Sequence, residues 1–181
     1  MTVIAAYDDG ERYWIASDSM GTAGDTMYET GSKLITRGNY IIGFSRSYRV
    51  ADIIRECTDL PDRLLSVRDL RKLRDAIKTK ITQDDLVGKY DDKPTDQHPV
   101  DIVLISPTGI YTVEGDYQIH KIPHGGYIAT GSGTDIALGA LFACKKQGID
   151  GKTAVNSAVK AAIKHITSCG GRCYIKSIKR R

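Results

Sequence analysis

The spacing of apolar residues switches repeatedly between strand and helix periods along this chain, and that alternation limits the possible folds more than any other feature. Residues 3–6 and 13–17 are β-prone runs flanking the turn signal Asp8-Asp9-Gly10, which predicts a hairpin. Residues 33–36 and 40–44 predict a second pair around Arg37-Gly38-Asn39. The period then lengthens. Val50, Ile53, Ile54 and Cys57 fall at helical spacing, and so do Leu70, Leu73, Ile77 and Ile81, on either side of the break Asp59-Leu60-Pro61-Asp62. A polar stretch over 88–99 follows. Strands are expected next at 100–105 and 110–113, joined by Pro107-Thr108-Gly109, with shorter ones at 118–122 and 126–130. Ala137, Ala140, Leu141 and Cys144 mark a third helix. Val155, Ala158, Ala162 and Ile166 mark a fourth, with Gly148 and Gly151 punctuating the gap. A last strand is expected over 172–178.

Strands, two helices, strands, two helices and a strand make an α+β protein. Tight turns between consecutive strands favour antiparallel pairing, and helix pairs between the strand groups predict helical layers outside two stacked sheets. A length of 181 residues suits a single domain spanning the whole chain, 1–181, with a sizeable core, and no composition break divides it.

With 41% hydrophobic and 27% charged residues, the chain has the make-up of a soluble globular protein. Part of the mild net charge of +4 comes from the run Lys176-Ser177-Ile178-Lys179-Arg180-Arg181, which reads as a solvated tail. No aromatic residues interleave with basic ones as a single-strand-binding groove would need, so a nucleic-acid partner is not expected. No apolar stretch has the length of a membrane span and no charged segment precedes an apolar one at the N-terminus, so the expected location is cytoplasmic, without a membrane partner. Cys57, Cys144, Cys169 and Cys173 fit free thiols in a reducing compartment better than a disulfide or a zinc site.

The N-terminus carries the chemistry. Methionine followed by a small residue is ordinarily excised, which would leave Thr2 with a free α-amine beside its own hydroxyl. An α-amine titrates near neutral pH and can take the hydroxyl proton, so such a threonine is a nucleophile with a built-in base.

Five blocks behind Thr2 carry a resemblance. Thr2-Val3-Ile4, Ile15-Ala16-Ser17-Asp18-Ser19, Ser32-Lys33-Leu34-Ile35, Ile42-Gly43-Phe44-Ser45 and Thr130-Gly131-Ser132-Gly133 look like the successive blocks of a proteasome β-type subunit. The length is closer to the compact bacterial HslV peptidase. The resemblance covers nearly the whole chain in order, and implies the four-layer αββα sandwich of the N-terminal nucleophile (Ntn) hydrolases. On that template Thr2 resembles the nucleophile and Lys33 the buried lysine whose charge supports it. Asp18 resembles the carboxylate paired with that lysine. Ser132 resembles the serine that hydrogen-bonds near the threonine amine. The resemblance also implies a threonine-type peptidase acting on peptides or unfolded protein, self-assembly into rings, an ATP-dependent unfoldase as a possible partner, and no cofactor or metal.

Taken singly, each residue has a plainer explanation. Asp18 could cap a turn, Lys33 could be a surface lysine, and Ser132 could cap the helix that follows it. The glycines around Ser132 lack the spacing of a phosphate or dinucleotide loop. The chain also departs from the family pattern. Arg46 stands where family members place a glycine whose backbone N–H serves the oxyanion hole, so Arg46 is the candidate donor there. A non-glycine residue keeps that geometry only at a cost in backbone strain. Ser168-Cys169-Gly170-Gly171-Arg172 lacks the aspartate expected near the last helix–strand junction, leaving Ser168 as its partial substitute. These departures mark a divergent member and keep two alternatives open: an Ntn amidohydrolase acting on a small or self substrate, and a non-catalytic structural ring subunit.

Overall fold

A computed structural model describes residues 2–23, 25–83 and 100–181. The polar stretch over 88–99 and Met1 lie outside them. The described chain runs β1 (Val3–Asp8), β2 (Arg12–Ser17), β3 (Met20–Ala23), β4 (Thr26–Glu29), β5 (Leu34–Arg37), β6 (Tyr40–Phe44), α1 (Tyr48–Glu56), α2 (Val67–Gln83), β7 (Ile102–Ser106), β8 (Gly109–Val113), β9 (Ile119–Lys121), β10 (Tyr127–Gly131), α3 (Thr134–Lys146), α4 (Gly151–His165) and β11 (Tyr174–Lys179).

Two large antiparallel sheets form, one in the order β10-β1-β2-β11 and the other β5-β6-β7-β8-β9, beside a two-stranded β3–β4 ribbon. Strand alternation assigns every apolar side chain to a layer. From β1, Val3, Ala5 and Tyr7 face α3 and α4, where they meet Ala137, Leu141, Ala154, Val155, Ala158 and Ala162. The intervening Ile4 and Ala6 point the other way and meet Ile15, Ile41, Val103 and Ile105 between the sheets. On the outer face of the second sheet, Ile42, Ile102 and Leu104 pack on Val50 and Ile54 of α1 and on Leu70, Leu73, Ile77 and Ile81 of α2. The fold is thus the α+β four-layer αββα sandwich, with two stacked antiparallel sheets between helix pairs. The sheets draw close at Gly43, where an added Cβ would lie 2.7 Å from the Ile4 Cγ2.

The helices start where their side chains supply caps. The Ser47 hydroxyl accepts from the Val50 N–H at the head of α1, and the Asp150 carboxylate accepts from the Thr153 N–H at the head of α4. Before α2, Ser66 and Asp69 satisfy each other's turn: the Asp69 N–H donates to the Ser66 hydroxyl at 3.2 Å, and Asp69 Oδ2 accepts from the Leu65 N–H at 3.1 Å. No helix among the described residues is long and apolar enough to cross a membrane.

Two sequence expectations change. The strand pattern did not reveal the β3–β4 hairpin. Thr26–Glu29 is exposed throughout, so no buried face stamps an alternation on it. The basic C-terminal run is also not a solvated tail. Residues through Lys179 pair with β2, the Arg180 N–H donates to the Glu11 carbonyl, and the Arg181 N–H donates to the Pro107 carbonyl.

Candidate active site

The strand register gathers the candidate residues at the start of β1. Val3 pairs with Gly131 and Ile4 with Ser17, so Thr2 comes opposite Ser132 and Val3 opposite Asp18. The Thr2 nitrogen donates to the Ser132 hydroxyl at 3.3 Å, and that hydroxyl lies 3.3 Å from the Thr2 carbonyl oxygen, to which it can donate. Ser168 donates its own hydroxyl to Ser132 at 3.0 Å. Helix α3 is capped at Gly133 without any side-chain bond, so Ser132 does not act as a cap and turns to Thr2 instead. Cys169 Sγ sits 3.5 Å from the same hydroxyl, and burial pushes its thiol up, keeping it neutral.

Gly131 makes the approach possible. Its φ is +94°, and a Cβ there would collide with the Thr2 carbonyl oxygen. Gly131→Ala is therefore expected to lower stability by about 1–3 kcal/mol and to displace Thr2 from Ser132. Thermal denaturation reads the first effect, and a crystal structure of the variant reads the second.

Asp18 and Lys33 form a second, fully buried group, each with 0% side-chain exposure. Lys33 Nζ donates to Asp18 Oδ1 at 2.7 Å and to the Met20 carbonyl at 2.6 Å. The Val3 N–H shares that same Oδ1 at 3.1 Å, while Asp18 Oδ2 accepts from the Gly170 N–H at 3.2 Å. The lysine is thereby held beside the first peptide of β1, and neither the turn-cap nor the surface-lysine explanation applies. Burial lowers the Lys33 pKa, and the Asp18 charge and hydrogen bond oppose that shift.

Thr2 opens on a cavity of 560 Å³ whose lining includes Ser132, Thr134, Phe44, Ser45, Arg46 and Asp101. Arg46 thus faces the same cavity as Thr2 from the end of β6. Its φ is 71°, the left-handed region that glycine adopts freely and arginine does not. Thr2 meets Ser132 directly, the Asp18–Lys33 pair reaches the start of β1 through the neighbouring Val3 N–H, and Arg46 lines the cavity that Thr2 opens on. Sequence reasoning missed Asp101, which reads locally as a polar residue entering a strand. Chemically, the arrangement offers the Thr2 hydroxyl, a hydrogen-bonded chain from the Thr2 nitrogen through Ser132 to Ser168, a buried lysine paired with a carboxylate, and a backbone turn across the cavity. Among the described residues no cluster of side chains could hold a metal ion.

No protein-family model matches this sequence, and no curated protein matches it either. Solved structures do match. The BPH protein of Thiobacillus denitrificans superposes with a TM-score of 0.85 at 18% identity, over 99% of this chain and 98% of that one. The same protein in complex with epoxomicin gives 0.81 at 18% identity, over 99% of both chains. HslV from Trypanosoma brucei gives 0.71 at 14% identity, over 98% of this chain and 99% of that one. The chain has the fold of these proteins along its whole described length.

Proposed function

We propose that this chain is a threonine-type Ntn hydrolase, a divergent HslV-like peptidase subunit acting as one domain, with Thr2 as nucleophile once Met1 is removed. The observation that carries the reading is that Thr2 and Ser132 line a cavity at the start of β1 while the buried Lys33–Asp18 pair bonds the next residue, Val3, from behind. The epoxomicin complex of a protein with the same fold supports a site that accepts peptide-like electrophiles.

In the proposed reaction the Thr2 hydroxyl oxygen attacks a peptide carbonyl carbon while the Thr2 amine takes its proton. The carbonyl oxygen becomes an oxyanion, stabilised by backbone N–H groups around Arg46; one such donor contributes on the order of 3 kcal/mol. Collapse of this intermediate breaks the C–N bond, and the ammonium of Thr2 protonates the departing amine. An ester to Thr2 remains. Water, deprotonated by the same amine, then attacks the ester and releases the acid, restoring the hydroxyl. The charge of Lys33 favours the developing alkoxide, Asp18 fixes that lysine, and Ser132 with Ser168 holds the amine in line.

Incubating the purified protein with unfolded casein and with fluorogenic peptides tests this directly, and new amide cleavage is the expected result. Ser132→Ala is expected to lower kcat about 100-fold while leaving the fold intact, because it removes the group that orients the base. An unchanged kcat would remove Ser132 from the relay.

Ring assembly and an ATP-dependent unfoldase partner belong to the same proposal, and native mass spectrometry tests the first. A strictly monomeric chain would favour the small-amide hydrolase over the compartmental peptidase.

A further inference from the structure

The turn that carries Arg46 is strained. The Ser47 N–H donates to the Ser45 carbonyl at 3.0 Å, closing a three-residue turn around a residue at φ 71°. A γ-turn with its central residue at positive φ is rare and strained, and a bulky L-residue there persists only when its surroundings force it. The neighbouring strand supplies that force. Phe44 pairs with Ile102, so Ser45 and Asp101 continue the β6–β7 ladder side by side. The Ser45 N–H donates to the Asp101 carbonyl at 2.9 Å, and the Ser45 hydroxyl donates to Asp101 Oδ2, also at 2.9 Å. Arg46 Nε lies 3.8 Å from that same carboxylate oxygen. One carboxylate therefore accepts a hydrogen bond from Ser45 and lies within ion-pair distance of the exposed Arg46 side chain, and no acceptor among the described residues takes the Arg46 amide.

We propose that Asp101 is a positioning residue that clamps Ser45 and Arg46, holding an arginine in a backbone conformation suited to glycine and keeping its amide free for the Thr2 cavity. The inference deepens the peptidase reading and rests on it for its kinetic consequences. A glycine at this position would need no clamp, because it carries no penalty at positive φ. The clamp thus offsets the substitution that most sets this chain apart in the oxyanion turn.

Two measurements test it, and the second fails separately from the peptidase reading. The first is a kinetic cycle. Asp101→Ala is expected to lower kcat about 30-fold with little change in KM, part of what loss of an oxyanion donor costs. Asp101→Asn, which still accepts from the Ser45 hydroxyl, should recover most of that. When Arg46→Gly is already present, Asp101→Ala should cost less than about 3-fold, because the residue needing restraint is gone. An equal loss with and without Arg46→Gly, or a loss confined to KM, would overturn the clamp.

The second is a crystal structure of the Asp101→Ala variant, which needs no activity. Residue 46 should leave the left-handed region or lose its order. An unchanged turn would overturn the clamp even if no substrate is ever found. A turn that moves in a protein without peptidase activity would support the clamp and count against the peptidase reading alone. If Asp101→Ala does not fold, Ser45→Ala removes the same side-chain bond from the other end and takes its place in both measurements.

Discussion

Thr2→Ala is expected to reduce amide hydrolysis by about 10⁴-fold or more, to the level left by substrate binding alone. The effect is large because one residue supplies both reacting groups. The hydroxyl is lost outright, and the amine that remains has no proton to take. The variant should fold normally, since Thr2 is tied to its neighbours mainly through its backbone: its nitrogen donates to Ser132, and its carbonyl accepts from the Gly133 N–H at 3.4 Å. Thr2→Ser, which keeps a hydroxyl beside the amine, should retain readily measured activity. Full activity in the alanine variant would remove Thr2 from the chemistry altogether. Inactivity in the serine variant alongside a normal fold would point to a role for the threonine methyl group in orienting the hydroxyl.

Asp18→Asn should produce the largest loss of stability, about 3–5 kcal/mol, the usual cost of removing one partner from a buried ion pair. The carboxylate accepts at both oxygens, from Lys33, Val3 and Gly170, with its side chain fully buried. An amide offers one acceptor oxygen and turns an NH₂ donor towards other donors, so at least one buried group loses its partner.

The pH dependence follows from the direction of the Lys33 shift. Its native pKa lies below the ordinary 10.5, chiefly through burial, with Asp18 opposing. Between the two values the unfolded chain holds a proton that the native chain does not. Stability therefore rises as pH climbs through that window and falls as pH drops through it. Asp18→Asn removes the opposing charge, deepens the depression and extends the window to lower pH. The variant should accordingly lose more stability than the wild type on acidification, as read by chemical denaturation across alkaline to neutral pH. A loss under about 1 kcal/mol, without steeper pH dependence, would mean that the pair is not an energetic unit.

The layered fold was legible because its strands are buried on a consistent face and end in strong turn signals. Asp8-Asp9-Gly10 and Pro107-Thr108-Gly109 join the strands they were expected to join. The helices over Leu70–Ile81 and Val155–Ala162 showed through their regular apolar spacing, because those residues are the ones that meet the sheets. The β3–β4 hairpin did not show, since burial writes no pattern on an exposed ribbon. Nor did the anchoring of Arg180 and Arg181, because backbone hydrogen bonds leave no trace in side-chain composition.

At the site, Thr2, Asp18, Lys33 and Ser132 could be singled out because their order along the chain is itself a pattern. Asp101 could not. Its meaning depends on the β6–β7 register that sets it beside Ser45, a relation between distant residues that local spacing does not encode. Ser168 could be named only as a partial substitute for a missing aspartate, and the fold alone places its hydroxyl 3.0 Å from Ser132. The backbone of Arg46 could not be read from the sequence, and its φ of 71° lies in the left-handed region that glycine adopts freely.

Whether Thr2 is a free N-terminal nucleophile is tested most directly by an intact-mass measurement of the protein purified from its native host, taken before and after treatment with epoxomicin. The expected result is a chain lacking Met1 that gains one inhibitor mass per subunit, with the adduct mapping to Thr2 and absent from Thr2→Ala. Quantitative retention of Met1, or the same adduct on the Thr2→Ala variant, would contradict it.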